Sequence, residues 1–186
     1  MLLALDIGNV CVTINHENCF RGLGMDAAPA GMRELLRRYE CGEMDDGDFI
    51  RYALELTGGK FTGKEFLDAF RSVLIAPVPG MAELVSAFPA MGIKAVFFSD
   101  ISPIHLRRTE ELFPAFHAVS GGVYSFKTGA WKPAPGMFRC FEKQHGRPDL
   151  YVDDRSELIE AARQWGWNGE IFTSAADLQK KLASLS

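Results

Sequence analysis

Acidic residues follow short apolar runs at three places: Asp6 after Leu2 to Leu5, Asp100 after Ile93 to Ser99, and Asp153-Asp154 after Leu150 to Val152. Ser99 precedes Asp100, and Lys132 stands in Trp131-Lys132-Pro133 ahead of a helical stretch. Carboxylates brought together repel unless a cation lies between them, and an oxygen-rich set suits a hard ion such as Mg²⁺. A hydroxyl and an ammonium alongside would supply donors to a phosphate. Taken singly, each acid has an ordinary explanation as a helix cap. The ordered set asks for one shared site.

The elements that would position these groups follow from the pattern. Leu2 to Leu5, Ile93 to Phe98 and Leu150 to Val152 are short apolar runs without alternation, as expected of parallel strands buried on both faces. Weaker strands are expected at Ala118 to Ser120 and Glu170 to Phe172. Between them, Ser102-Pro103 opens a helix over Ile104 to Leu112, Pro135 opens one that stops at Gly146, and Ser156 and Ser174 precede two more. Strands alternating with helices predict an α/β fold with a parallel sheet, whose ligands bind outside the carboxyl ends of the strands. Between Ile14 and about Val78 the strand signal vanishes. Glu34 to Leu36, Phe49 to Leu54 and Phe66 to Phe70 follow helical spacing instead. The expected organisation is therefore an α/β core of residues 1–13 and 76–186 with a small helical cap, 14–75, inserted after the first strand.

Composition narrows the classes of function. The chain has 186 residues, 47% hydrophobic and 24% charged, with net charge −4, which describes an ordinary globular protein large enough for a real core. It carries no basic stripe for nucleic acid, no run long enough to span a bilayer and no basic leader before Met1-Leu2-Leu3. The four cysteines form no C-x-x-C pair, so buried reduced thiols and a cytoplasmic setting are expected. No oligomeric state can be read from the sequence. Gly58 to Lys64 nearly spells a nucleotide-binding loop but continues into Glu65, and Thr62 to Glu65 reads better as a capping box. Asp45 likewise reads as a helix cap rather than part of a calcium loop.

The ordered set Asp6-Ile7-Gly8-Asn9-Val10, Ser99, Lys132-Pro133 and Asp153-Asp154 resembles the four motifs of the haloacid dehalogenase-like (HAD) hydrolase superfamily. The resemblance is to its subgroup with a helical cap after the first strand. It covers nearly the whole chain, and Tyr39-Glu40-Cys41-Gly42-Glu43-Met44 is similar to a pattern such caps carry. The resemblance implies a Rossmann-like core and a phosphatase acting on a small phosphorylated molecule. Asp6 would be the nucleophile that forms an aspartyl-phosphate. Asp6, Asp154 and the Gly8 carbonyl would hold Mg²⁺, with Asp153 helping directly or through water. Ser99 and the Asp100 backbone amide would bind phosphate oxygens, and Lys132 would shield the charge.

Two positions depart from the superfamily's pattern. Most of its phosphatases place a second Asp two residues after the nucleophile as general acid and base, where this chain has Gly8. Leu158 stands where an Asn or Asp commonly orients the metal ligands. The subgroup reading Asp-x-Gly-Asn-Val includes an α-D-glucose-1-phosphate phosphatase, and its members also tend to carry a His six residues after the motif serine, as His105 follows Ser99. His105 would then line the pocket or stand solvated in the first turn of its helix, and Asn15, His16 and Arg21 are candidates to face the substrate. The competing readings are a catalytically impaired relative that binds a phosphorylated ligand or a partner, and a 2-haloacid dehalogenase.

Overall fold

A computed structural model describes residues 1–185. Its centre is a parallel five-stranded sheet in the order β5-β4-β1-β6-β7, formed by β1 (Leu2–Leu5), β4 (Lys94–Ser99), β5 (Gly122–Tyr124), β6 (Leu150–Asp153) and β7 (Gly169–Ile171). Leu5 of β1 aligns with Phe97 of β4 and Val152 of β6, so the three central strands reach the same edge in register. Alternate residues serve opposite faces. Leu3, Leu5, Ala95, Phe97, Leu150 and Val152 join one buried cluster, and Ala4, Val96, Phe98 and Tyr151 join another with Phe138, Phe141 and Trp167. Burial on both faces explains why these strands read as unbroken apolar runs.

The helices of the core are α5 (Met81–Ala87), α6 (Pro103–Leu112), a single turn α7 (Ser125–Thr128), α8 (Pro135–His145), α9 (Ser156–Trp165) and α10 (Ala175–Ala183). Ser102 and Ser174 cap α6 and α10 as expected, accepting from the N–H groups of His105 and Asp177. Ser156 is instead the first helical residue of α9, with Arg155 in the cap position. Among the described residues no helix is long and apolar enough to cross a membrane.

Four helices lie between β1 and β4: α1 (Glu17–Gly22), α2 (Met32–Glu40), α3 (Asp46–Leu56) and α4 (Gly63–Arg71). Asp45 caps α3, and Thr62 and Glu65 form a reciprocal capping box on α4, so neither segment is a calcium or nucleotide loop. The chain enters and leaves this group through an antiparallel pair, β2 (Val12–Ile14) and β3 (Leu74–Pro77). This corrects the expectation of no strand before Val78. A short strand ending in proline, with Ile75 and Ala76 exposed, carries no period-two signal of its own and exists through its partner. The strand expected at Ala118 to Ser120 lies further on, at β5, because Phe116–Ala118 form a 3-10 turn.

The four cysteines are unpaired, but only Cys11 and Cys19 are buried; Cys41 and Cys140 are partly exposed. His105 fits neither of its two expected roles. It is buried, stacks on Phe70 of α4 with centroids 4.0 Å apart, and its Nε2 lies 2.9 Å from the Phe70 carbonyl, so it ties α6 to the helical insertion. Burial lowers its pKa to about 4, opposed by the Phe70 carbonyl and assisted by His16. The folded chain therefore holds the ring neutral. As pH falls below the ordinary imidazole value of 6.5, the unfolded chain takes up a proton that the folded one refuses, and stability is lost down to about pH 4. The loss should approach about 3 kcal/mol. Thermal melts of wild type and His105→Gln between pH 7 and 4 check this: wild type should lose more stability than the variant, and parallel curves would refute it.

Candidate active site

The carboxyl edge of the sheet gathers the predicted residues because β1, β4 and β6 end there together. Asp6 follows β1, Ser99 ends β4, Asp153 ends β6, and Asp154 begins the turn into α9. Lys132 comes from the loop between α7 and α8, and its ammonium is inserted between the strand ends. It donates to Asp6 Oδ1 at 2.8 Å, Asp153 Oδ2 at 2.7 Å, the Phe98 carbonyl at 3.0 Å and the Tyr151 hydroxyl at 3.2 Å. The lysine side chain is 2% exposed and those of Asp6 and Asp153 are 10% and 0% exposed, so these are desolvated charges held by full hydrogen bonding. Burial works against the ionised form of Asp6 and raises its pKa, with the Lys132 ammonium opposing. Burial also works against the ammonium, yet the facing carboxylates hold Lys132 well above its ordinary value.

The acids do not play equal parts. Asp153 accepts from Lys132 and Tyr151 on Oδ2 and from the Arg155 N–H on Oδ1, so both of its oxygens are engaged. Asp6 commits Oδ1 to Lys132, and Asp154 commits Oδ2 to the Asn9 amide at 3.0 Å. One oxygen on each remains for an ion. Asp6, Asp153 and Asp154 offer carboxylate oxygens within 4.8 Å of one another, the one such cluster among the described residues. The Ile7 carbonyl takes the N–H groups of Cys11 and Val12, whereas that of Gly8 accepts none of the turn's hydrogen bonds. This donor set fits a hard divalent cation, with Asp6, Asp154 and the Gly8 carbonyl as direct candidates and Asp153 acting through water.

Ser99 is 2% exposed and lies beside the Asp6 carboxylate. Asp100 follows it, and its carboxylate accepts the Lys132 backbone N–H at 2.8 Å, which locks the lysine loop to the end of β4. Of the substrate-facing candidates, Asn15 caps the turn into α1 by accepting from the Glu17 N–H, and Arg21 pairs with Glu17 in solvent. Neither is brought to the acidic cluster.

Two residues at the site had no role assigned from sequence. Asn9 adopts a left-handed backbone, φ 52°, which asparagine tolerates. Its side chain accepts from the Ile14 N–H and donates to Asp154, so it orients a candidate metal ligand from the first loop. That explains how Leu158 can be a buried apolar residue here. Tyr151 is the second, a strand residue whose hydroxyl bridges Lys132 and Asp153. Gly8 places no side chain beside Asp6, and a Cβ there would lie 3.1 Å from the tip of Ile14, which would have to shift by a few tenths of an ångström to admit one.

No protein-family model and no curated protein matches the sequence. Solved structures do. A HAD family enzyme from Bacteroides thetaiotaomicron, crystallised with magnesium and inorganic phosphate, superposes with TM-score 0.81 at 17% identity over 93% of this chain and 94% of that one. The chain has the HAD-like fold. A HAD-like family hydrolase from Porphyromonas gingivalis gives TM-score 0.82 at 16% identity over 99% of this chain and 96% of that one. The L-2-haloacid dehalogenase of Xanthobacter autotrophicus, with chloropropionic acid covalently bound, gives 0.65 at 13% identity over 98% and 82%. In the HAD-like frame the acidic cluster sits at the carboxyl edge of the sheet, where an open parallel sheet binds its ligands.

Proposed function

We propose that the protein is a Mg²⁺-dependent phosphatase of small phosphorylated metabolites, sugar 1-phosphates among them. The observation that carries this is Lys132: its ammonium is shared between Asp6 and Asp153 while Asp154 stands beside them with an oxygen to spare. A phosphate between Asp6, Ser99 and Lys132 would meet a carboxylate nucleophile, a hydroxyl donor and a cation. Mg²⁺, held by Asp6, Asp154 and the Gly8 carbonyl, would neutralise phosphate charge so that an anionic nucleophile can approach. The Asp6 oxygen attacks phosphorus, the ester oxygen leaves with its bonding pair, and water then releases phosphate from the aspartyl-phosphate. Ser99 and the Asp100 N–H hold the equatorial oxygens through both steps. The Bacteroides neighbour with magnesium and phosphate supports this reading.

A dehalogenase is disfavoured because three clustered carboxylates would repel a carboxylate substrate unless a cation were bound. The gap at Gly8 favours a second reading, a binder without turnover. Phosphate release from a panel of sugar and nucleotide monophosphates separates the three. We expect release with Mg²⁺ and none in EDTA, and faster release from hexose 1-phosphates than from 6-phosphates, because an anomeric hydroxyl leaves more readily. Metal binding without turnover would favour the binder, and halide release without added metal the dehalogenase.

A further inference from the structure

The helical insertion holds a cavity of about 180 Å³ whose walls are almost wholly apolar. Cys19 of α1, Met32 of α2, Phe49 of α3, and Phe66 and Phe70 of α4 form its buried floor, so all four helices contribute. His16, Ala28 and Arg33 also line it but are exposed, and they mark its mouth. None of Asp6, Ser99, Lys132, Asp153 and Asp154 takes part. Protein interiors leave few voids larger than a water molecule, so an opening of this size needs something to prop it. The aromatic rings do so. Phe49 stacks on Tyr39 with centroids 4.1 Å apart and tilts against Phe70 at 4.9 Å, and Phe70 stacks on His105 of α6. Tyr39 is fixed in turn, its hydroxyl accepting from the Ile104 N–H and donating to Asp46.

The charge at the mouth is one-sided. Of the six arginines between positions 14 and 75, Arg21, Arg37, Arg38, Arg51 and Arg71 each pair with a carboxylate. Arg33 has no hydrogen bond or ion pair among the described residues, and no Asp or Glu lines the cavity. An apolar chamber with an unpaired guanidinium at its entrance complements a molecule that is apolar at one end and anionic at the other. The volume sets the size of that molecule. An apolar cavity of about 150 Å³ takes up one benzene, so this one suits a single ring or a short alkyl chain. We propose that the insertion carries a binding site for a small apolar carboxylate, its ring or chain seated on Phe49, Phe66 and Phe70 and its carboxylate on Arg33. One arginine balances one negative charge, and a carboxylate accepts two N–H groups from the guanidinium fork; a dianionic phosphate would leave a charge unmatched. The occupant lies against Phe70, the ring that ties α4 to α6 through His105, and so braces the insertion against the core. The site stands whether or not the acidic cluster turns over a phosphate ester.

Titration calorimetry with phenylacetate and its neutral analogue phenylacetamide tests this. It is run in EDTA, where the three carboxylates of the acidic cluster repel an anion. Wild type should bind the acid on the order of tenfold more tightly than the amide. Arg33→Gln, a change at an exposed position, should erase that preference while leaving the affinity for the amide as it was. Leu36→Phe, which adds volume at the cavity wall, should weaken both probes. Equal affinity for acid and amide in wild type would overturn the proposal and leave a site for neutral apolar molecules. A preference for the acid that survives Arg33→Gln, or binding untouched by Leu36→Phe, would place the ligand elsewhere and overturn it too. Heat from neither probe would also overturn it, and a dimer in solution would then identify a second copy of the chain as what covers the mouth.

Discussion

Asp6→Asn is expected to lower kcat/KM for phosphate-ester hydrolysis by about 10⁴-fold or more, with little change in melting temperature. The nucleophile must present an anionic oxygen to phosphorus, and an amide oxygen neither attacks effectively nor yields a stable acyl-phosphate. The fold should tolerate the change, because the Asn oxygen can still accept from the Lys132 ammonium, which keeps Asp153 as its counter-charge at 2.7 Å. The substitution removes one negative charge from a close set of three carboxylates, two of them buried, which relieves repulsion when no cation is bound. Steady-state kinetics beside a thermal melt check both halves. An active, folded Asp6→Asn would assign the chemistry to another residue.

Lys132→Met should act in the opposite sense, on stability first. The three N–H groups of the ammonium are shared among four acceptors in the interior, and its removal leaves Asp6 and Asp153 facing each other without a cation and the Phe98 carbonyl without that donor. Breaking a buried pair by deleting one partner costs roughly 3–5 kcal/mol. The loss should be greatest in EDTA and partly recovered in Mg²⁺, because a cation on Asp6 and Asp154 offsets some of the missing charge. Melting curves of wild type and variant with and without Mg²⁺ measure this. Equal destabilisation in both conditions would show that no cation enters the cluster.

The acidic cluster was legible in the sequence because strands of a parallel sheet end together at the edge where such a sheet binds its ligands. Asp6, Ser99 and Asp153 each follow an apolar run buried on both faces, and β1, β4 and β6 are neighbours in register, so a pattern along the chain became a cluster in space. The capping residues Asp45, Thr62, Ser102 and Ser174 were readable because their hydrogen bonds are local. What escaped depends on distant partners. β3 has no pattern without β2, and His105 looks like a surface residue of an amphipathic helix until Phe70 covers it. Asn9 reaches Asp154 across 145 residues of chain, and Glu40 reads as one more charged helix residue although the fold buries it.

The phosphoryl group on Asp6 is the centre of this account, and trapping it is the most direct test. Wild type mixed with para-nitrophenyl phosphate and Mg²⁺, quenched in acid within one turnover and digested, would be searched by mass spectrometry for a phosphorylated peptide. The modification is expected on the peptide containing Asp6, labile to hydroxylamine as an acyl-phosphate is, and absent from Asp6→Asn. Nitrophenol release with the phosphoryl group on another residue, or a hydroxylamine-stable adduct, would contradict it.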